Sequence, residues 1–389
     1  MDKVSVFNCK TEIYHGFGAA SLTGEQASRF GITRALLVTD QGVLKSGLIQ
    51  DIEDSLQSAN ISYEIFDDVE ENPDIKTMHK GAVRLKEAGG DGVVIVGGGS
   101  PLCAGRGIAL KATNNGKISD YEGVNKYKSP PLPAICLPTT AGSGSDVSPA
   151  FMFHDASQRA GGGVVTGNNL APPVSILDPL LLQTCPRGQM IISGLDALSH
   201  AVEALMTERG TLLTDAIACE SIRLIMGNLK EAALTKNLKA KSIQHLASSM
   251  ANIACGNTGL AIGHGMASVH EVKLPHGYKV GVLLPYAMEF NLPACEHKLA
   301  QMAITLGEPT CGVSISDLAK SALKLLKKLY IDLDLPRKFE PAEFPVDKIP
   351  ELSKGVMGKL KLVENNVRQF TESDVMHLYE ASLKGWQLD

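Results

Sequence analysis

The stretch Gly92-Val-Val-Ile-Val-Gly-Gly-Gly-Ser100 decides the fold, because an apolar run leads directly into a triple glycine. The run is typical of a strand buried in a parallel sheet. Residues 101–113, which follow it, predict a helix. Glycine at Gly97–Gly99 lets backbone N–H groups approach a phosphate closely at the start of that helix. The turn therefore predicts a pyrophosphate cradle, although the Gly-x-Gly-x-x-Gly fingerprint is absent and tight turns use glycine too.

Other apolar runs on both sides of this stretch predict neighbouring strands of the same sheet. They are Ala35–Asp40, Ile61–Phe66 and Ala134–Leu137, and residues 74–87 predict an amphipathic helix. Strands that alternate with helices in this way indicate a parallel, doubly wound, Rossmann-like sheet.

A second polar loop, Thr139–Ser145, follows the last of these strands and offers hydroxyls and free N–H groups. Two such loops at the carboxyl ends of strands indicate a nucleotide that lies across the crevice of the sheet. Asp40 ends another strand, where its carboxylate can accept hydrogen bonds from ribose hydroxyls and would repel a 2′-phosphate. This favours NAD over NADP. The alternative, an aspartate that caps the next turn, stays open.

Helical patterns dominate the second half of the chain, and strand-like runs nearly vanish there. The predicted helices span about residues 187–207, 211–228, 238–255, 258–268, 295–306, 313–329 and 372–386. The change of pattern falls near Cys185-Pro186. We therefore expect an α/β nucleotide-binding domain over residues 1–185 and an all-α domain over residues 186–389.

Composition excludes several classes of function. The 389 residues carry a net charge of −5, which argues against a nucleic-acid surface. The eight cysteines are scattered without a Cys-x-x-Cys pair, as expected for free thiols in a reducing compartment. The sequence shows no apolar signal-peptide core and no run of about 18 apolar residues that would span a membrane. The expected location is the cytoplasm.

Asp196 and His200 lie four residues apart in a segment rich in Ala, Leu, Val and Glu, which predicts a helix. Residues at this spacing share one face, so the carboxylate and the imidazole offer two donors that a divalent transition metal prefers. His264 and His276, each next to a glycine, can complete the set. One aspartate and three histidines make a mixed site that can leave a position open for substrate. The alternative for the helical pair alone is an exposed or capping pair.

These motifs together resemble the iron-containing (group III) alcohol dehydrogenase family over roughly residues 10 to 385. Five ordered segments carry the resemblance: Gly97–Pro101, Pro138–Ser145, Gly194–Ala204, Gly259–Ala267, and Leu274–Gly277 with the following Leu283–Asn291. The resemblance implies a dehydroquinate synthase-like fold, with a nucleotide domain, a helical domain and the active site in the cleft between them. It also implies a homodimer or a larger homo-oligomer.

The resemblance assigns site residues position by position. Metal ligands are implied at Asp196, His200, His264 and His276, for Fe²⁺ with Zn²⁺ as the alternative. Nucleotide-binding positions are implied at Asp40, Asn72, Gly98, Gly99, Ser100, Thr139 and Thr140.

Three features of the sequence depart from the family pattern. Cys103 and Arg106 stand where the family usually has Asp and Lys, and a glycine-rich stretch at Gly161–Gly163, expected to be a mobile loop, replaces a region that often carries a cofactor-contacting Lys. Both changes bear on cofactor binding. Ser268 replaces a second histidine of the family, which bears on the proton route. His270, two residues further on, is the candidate to take over that relay.

The function expected from these observations is a metal-dependent transfer of hydride between NAD(H) and a small primary alcohol or aldehyde. The metal would polarise the substrate oxygen, and the nicotinamide would carry the hydride. Two other readings stay open. One is a metal-dependent lyase or cyclase on the same scaffold, although no Lys/Arg cluster for a phosphorylated substrate is visible near the ligands. The other is a regulatory relative without activity.

Overall fold

The computed structural model describes residues 4–155, 157, 161–269 and 271–388. The chain divides into two compact units. The α/β unit comprises Cys9–Met190 together with Leu234–Ser249, and the helical unit comprises the segment up to Asn8, Ile191–Ala233 and the chain from Met250 onward. The predicted boundary between functional domains at residues 185/186 stays a prediction.

The strands belong to the α/β unit. They are β1 Glu12–His15, β2 Arg34–Val38, β3 Ser62–Phe66, β4 Gly92–Gly97, β5 Gly123–Val124, β6 Ala134–Pro138, β7 Ala150–His154, β8 Gly162–Thr166 and β9 Val174–Leu177. The main sheet has the order β1-β9-β6-β4-β2-β3, and all its pairs are parallel. A smaller sheet has the order β5-β8-β7, with β7 and β8 antiparallel.

Both units contain helices. They are α1 Thr23–Arg29, α2 Gln41–Lys45, α3 Gln50–Ser58, α4 Ile75–Glu87, α5 Gly99–Thr113, α6 Arg187–Leu205, α7 Leu212–Leu234, α8 Leu238–Thr258, α9 Ile262–Ala267, α10 His276–Asn291, α11 Glu296–Thr305, α12 Ile315–Asp332, α13 Ile349–Gly358, α14 Leu360–Val363 and α15 Glu372–Lys384. None of them, within the described part of the chain, is long and apolar enough to cross a lipid bilayer.

The central strand β4 is buried along its whole length, as a parallel strand covered on both faces should be. Its side chains alternate between two apolar clusters. Val93 and Ile95 pack with residues of α4 and α5 on one face of the sheet, and Val94 and Val96 pack with residues of α1 and α3 on the other. The predicted parallel, doubly wound α/β fold followed by a helical part is confirmed.

Helix α10 and strand β8 are among the elements that differ from the sequence-based expectation. Helix α10 was not predicted, because two glycines and Pro285 lower the helical propensity of its sequence. The glycine-rich stretch, expected to be a mobile loop, instead forms β8. Gly162 has φ 147°, and a Cβ there would lie 2.2 Å from the Phe153 carbonyl oxygen. Glycine at this position serves the close pairing of β7 and β8 rather than mobility.

Candidate functional site

Three helices of the helical unit carry the predicted metal ligands. Asp196 and His200 lie one turn apart on α6, His264 lies in the short helix α9, and His276 is the first residue of α10. Gly277, the residue after His276, brings α10 against α6, since a Cβ there would lie 2.4 Å from the Ile192 carbonyl oxygen. The glycine thus places the start of one ligand-bearing helix directly against the other.

The ligating atoms of Asp196, His264 and His276 all lie within 4.8 Å of one another. The Oδ1 atom of Asp196 is 3.7 Å from His264 Nε2 and 3.7 Å from His276 Nε2. His200 lies beside this set without being part of it: its ring stacks on that of His264 at a centroid distance of 4.5 Å, and its Nδ1 is 3.1 Å from Asn252 Nδ2. We call these four residues the ligand cluster.

The buried atoms of this cluster fit a divalent ion. Asp196 and His264 are 6% and 2% exposed. Among the described residues, neither Asp196 Oδ1 nor His264 Nε2 has a hydrogen-bond partner. Buried polar atoms normally have one, because leaving them unpaired costs about 1–3 kcal/mol each. A carboxylate oxygen and imidazole nitrogens that face one another without forming hydrogen bonds are the donor types of a transition-metal site.

The pKa values of the cluster members shift in different directions. Burial alone would raise the pKa of Asp196, but the neighbouring histidines, His200 foremost, hold that pKa below its usual range. Burial likewise lowers the pKa of His264, yet the Glu203 carboxylate outweighs it and raises the pKa to about 9. Partial burial of the His276 ring lowers its pKa to about 3. At neutral pH the cluster therefore has a fixed carboxylate and a neutral His276 with a lone pair to offer.

The predicted nucleotide-binding loops meet at the carboxyl ends of neighbouring strands in the α/β unit. Gly98 caps α5, and the Thr139 N–H donates to the Gly97 carbonyl across the β4–β6 pair at 3.0 Å. A Cβ at Gly98 would lie 3.2 Å from the Thr140 side chain, and one at Gly99 would lie 3.1 Å from the Ser143 Cβ. The two loops, Gly97–Ser100 and Thr139–Ser145, therefore pack so closely that a side chain at Gly98 or Gly99 of the first loop would crowd the second. We call them the loop cluster.

The remaining predicted cofactor residues lie at the same edge of this sheet. Asn72 has a left-handed backbone with φ 56°, and its N–H donates to Ser100 Oγ at 3.2 Å. Asp40 follows β2, which pairs with β4. The chain turns to opposite sides after these two strands, so a topological switch point, the usual ligand site of such sheets, lies between them. Asp40 also caps α2 by accepting the Val43 N–H at 2.9 Å, so the capping alternative holds as well.

The departures from the family pattern occupy structural positions. The Arg106 guanidinium is 3% exposed and donates to the carbonyls of Ser145, Ser148, Ala150 and Leu170 at 2.6–3.0 Å. Cys103 Sγ lies 3.7 Å from Ser145 Oγ. Both side chains thus support the segment at and after the end of the second loop. Ser268 donates from Oγ to the Gly265 carbonyl at 2.8 Å within its own helix end.

One predicted residue and one missed residue complete the site. His270, the candidate proton relay, lies outside the described residues. Glu203, which was not predicted from the sequence, contacts His264 at 3.1 Å between Oε2 and Nδ1. A signal for it was present, since Glu203 stands seven residues after Asp196 and three after His200, on the same helical face.

Known families match both halves of the chain. A family model described as "Iron-containing alcohol dehydrogenase" matches residues 10–179. A second model, described as "Fe-containing alcohol dehydrogenase family, C-terminal", matches residues 190–383.

Individual relatives extend the similarity over most of the chain. A 1,3-propanediol dehydrogenase of Citrobacter freundii is 36% identical over 85% of this chain and 88% of its own length. An NAD-dependent methanol dehydrogenase of Bacillus methanolicus is 30% identical over 95% of this chain and 97% of its own. The crystal structure of a 1,3-propanediol oxidoreductase superposes with a TM-score of 0.92 at 32% identity, covering 97% of this chain and 99% of the other.

Proposed function

The chain belongs to the iron-containing alcohol dehydrogenase family, and we propose that it transfers a hydride between NAD(H) and a small primary alcohol or aldehyde at a metal centre. Its relatives include dehydrogenases and reductases of propanediol, methanol and lactaldehyde, so it is an alcohol oxidoreductase in the broad sense. NAD as the cofactor, the metal and the form of the reaction are the parts that we propose.

The observation that carries the proposal is the set of orphaned, buried donors in the ligand cluster. Asp196 Oδ1 and His264 Nε2 face each other and His276 Nε2 across distances that a single ion could bridge. We propose Asp196, His200, His264 and His276 as the ligands of Fe²⁺, with Zn²⁺ as the alternative that accepts the same donors. When bound there, the ion would supply Lewis acidity that polarises the oxygen of the substrate.

The side chains themselves prepare that chemistry. The low pKa of Asp196 keeps its carboxylate charged, and the low pKa of His276 keeps its ring neutral, so both are ready to ligate at neutral pH. For the proton that an alcohol releases on oxidation, we keep His270 as the proposed relay.

The loop cluster supports NAD as the hydride carrier. Helix α5 begins at Gly99, and no side chain of the described residues caps it at Gly98, so its first N–H groups can bind a phosphate. We propose that Gly98, Gly99, Ser100, Thr139 and Thr140 hold the pyrophosphate, with Asn72 beside them. Asp40 would bind the ribose hydroxyls and disfavour NADP. The named cofactor of the methanol dehydrogenase relative agrees with this choice.

Metal analysis and an activity panel test the proposal together. Protein purified without added metal is analysed for iron and zinc, then assayed with small primary alcohols and aldehydes at the nicotinamide absorbance band. We expect about one equivalent of metal per chain and reversible activity with NAD, and little with NADP. Metal without redox activity on any alcohol or aldehyde would favour the lyase or regulatory reading. A homodimer remains a prediction, which sedimentation can test.

A further inference from the structure

Glu203 is a buried carboxylate next to the ligand cluster. It lies on α6, on the helical face that also carries Asp196 and His200, and its side chain has no exposed surface. Among the residues that the structure describes, no lysine or arginine lies within ion-pair distance of it, and its one ion-pair contact is with His264. A buried charge is costly unless it is paired, so the position of this carboxylate calls for an explanation.

The carboxylate holds the segment of α9 that carries His264. Its Oε2 atom accepts the Ala261 N–H at 2.6 Å, and its Oε1 atom accepts the His264 N–H at 2.9 Å. Gly263 makes room for it, because a Cβ there would lie 2.5 Å from Glu203 Oε1. Glu203 thus fixes both the start of the helix and the backbone of the ligand itself.

The same carboxylate also contacts the ring of His264. Oε2 lies 3.1 Å from Nδ1, an ion-pair contact rather than an aligned hydrogen bond, while Nε2, on the other side of the ring, lies 3.7 Å from Asp196 Oδ1. A carboxylate beside Nδ1 favours the proton on that nitrogen and leaves the lone pair on Nε2. The charge of Glu203 therefore favours the tautomer in which His264 can ligate an ion shared with Asp196.

We infer that Glu203 is a positioning residue of the metal centre, whose carboxylate anchors the backbone of His264, favours its ligating tautomer and adds a second negative charge beside that of Asp196. This inference rests on the proposed metal-dependent function. The two carboxylates then match the charge of one divalent ion, which accounts for a buried anion without a lysine or arginine partner.

Titration of the metal-stripped full-length protein with Co²⁺ tests the inference. The variant Glu203→Gln keeps the shape of the side chain but removes its charge. We expect it to bind Co²⁺ on the order of 10–100-fold more weakly than the wild type and to change the visible spectrum of the bound ion, because the negative charge that favours the ligating tautomer of His264 is gone. Circular dichroism establishes that the variant is folded.

A matched control separates charge from backbone anchoring. Asn366 is buried and its Oδ1 accepts the Ile262 N–H at 3.0 Å, so it anchors the same helix start without touching the ring of His264. We expect Asn366→Ala to keep its Co²⁺ affinity within the same order of magnitude as the wild type. Equal losses in both variants would overturn the positioning role, because anchoring alone would explain them.

A second variant covers the case in which Glu203→Gln does not fold. Gly263→Ala leaves the charge in place but pushes its Cβ against Glu203 Oε1. We expect weaker Co²⁺ binding here too, and wild-type affinity in a folded form of either variant would overturn the inference. A wild type that takes up no Co²⁺ would refute the proposed function itself, whereas a metal-binding wild type with unaffected variants refutes only the role of Glu203.

Discussion

The ligand cluster of the helical unit and the loop cluster of the α/β unit present their polar groups by different means. In the ligand cluster the chemistry lies in side chains, and glycine serves only to bring helices together, as Gly277 does against Ile192. In the loop cluster the backbone supplies the donors, and the glycines themselves form the surface. A site of the first kind depends on the identity of a few residues. A site of the second kind depends on the closeness of its loops.

This difference bears on two of the positions that are expected to depart from the family pattern, Cys103 and Arg106. Cys103 and Arg106 both contact Ser145 at the end of the second loop. Side chains at these two positions can differ as long as the backbone of the loop keeps its conformation. The ligand cluster, in contrast, keeps its aspartate and its three histidines. The predictions below test this contrast.

The largest effect is expected from removal of one ligand. His264→Ala takes away a buried donor that faces Asp196 and should eliminate tight metal binding while the fold persists. Loss of a Lewis acid worth several kcal/mol lowers kcat/KM by at least about a thousandfold. Metal content and kcat/KM are compared with those of His377→Ala, an exposed histidine on α15. Retained metal with near-normal turnover would contradict the ligand assignment.

A smaller effect is expected from Arg106→Lys, which restores the residue that the family pattern usually has. Lysine keeps the charge but lacks the planar fork that donates to four carbonyls. We expect the free energy of unfolding to fall by about 2–3 kcal/mol, measured by urea denaturation. The exposed Arg187→Lys is the control. Unchanged stability would mean that these carbonyls do not depend on the guanidinium.

The closeness of the two loops is tested by Gly99→Ala. The added Cβ would lie 3.1 Å from the Ser143 Cβ, so the loops must separate by a few tenths of an ångström. We expect the KM for NAD to rise about tenfold with little change in kcat, since a full ångström of misplacement can cost about a hundredfold. Gly188→Ala, whose Cβ would have no neighbour within 4 Å, is the control. An unchanged KM would place the pyrophosphate elsewhere.

The sequence predicted the parts of the molecule that follow from local pattern. The buried run of β4 and the glycine turn after it were evident because a parallel strand is apolar on both faces. Helix α10 was missed because the close contact that requires its glycines, such as Gly281 against Leu195, joins residues far apart in the chain. Strand β8 was missed for the same reason, because Gly162 leaves room for the Phe153 carbonyl oxygen of the neighbouring strand.

The ligand cluster shows the same limit. Its four residues could be chosen from the sequence, because helical spacing and residue type identify donors for a metal. The stacking of His200 on His264, and the support of His264 by Glu203, depend on how α6 and α9 pack, which no local pattern encodes. Local pattern thus indicates which atoms can ligate, and tertiary packing determines how they are oriented.

The smallest effect concerns a buried histidine behind the loop cluster. His245 on α8 is 1% exposed and lies near Pro138, and burial lowers its pKa to about 3. In the unfolded chain the pKa of His245 is near 6.5. As pH falls below that value, the unfolded state binds a proton at His245 and the native state does not. Stability is thus complete above about pH 6.5 and declines toward pH 3. Between pH 7 and pH 5.5 the loss is about 1 kcal/mol.

Urea denaturation at these two pH values checks the contribution of His245. We expect His245→Asn to be less stable than the wild type at pH 7 because it leaves a gap in the core, but to lose about 1 kcal/mol less on acidification. The exposed His297→Asn is the control. If the loss on acidification were the same in His245→Asn and the wild type, His245 would not be held neutral in the fold. The backing of the loop cluster would then tolerate a charge.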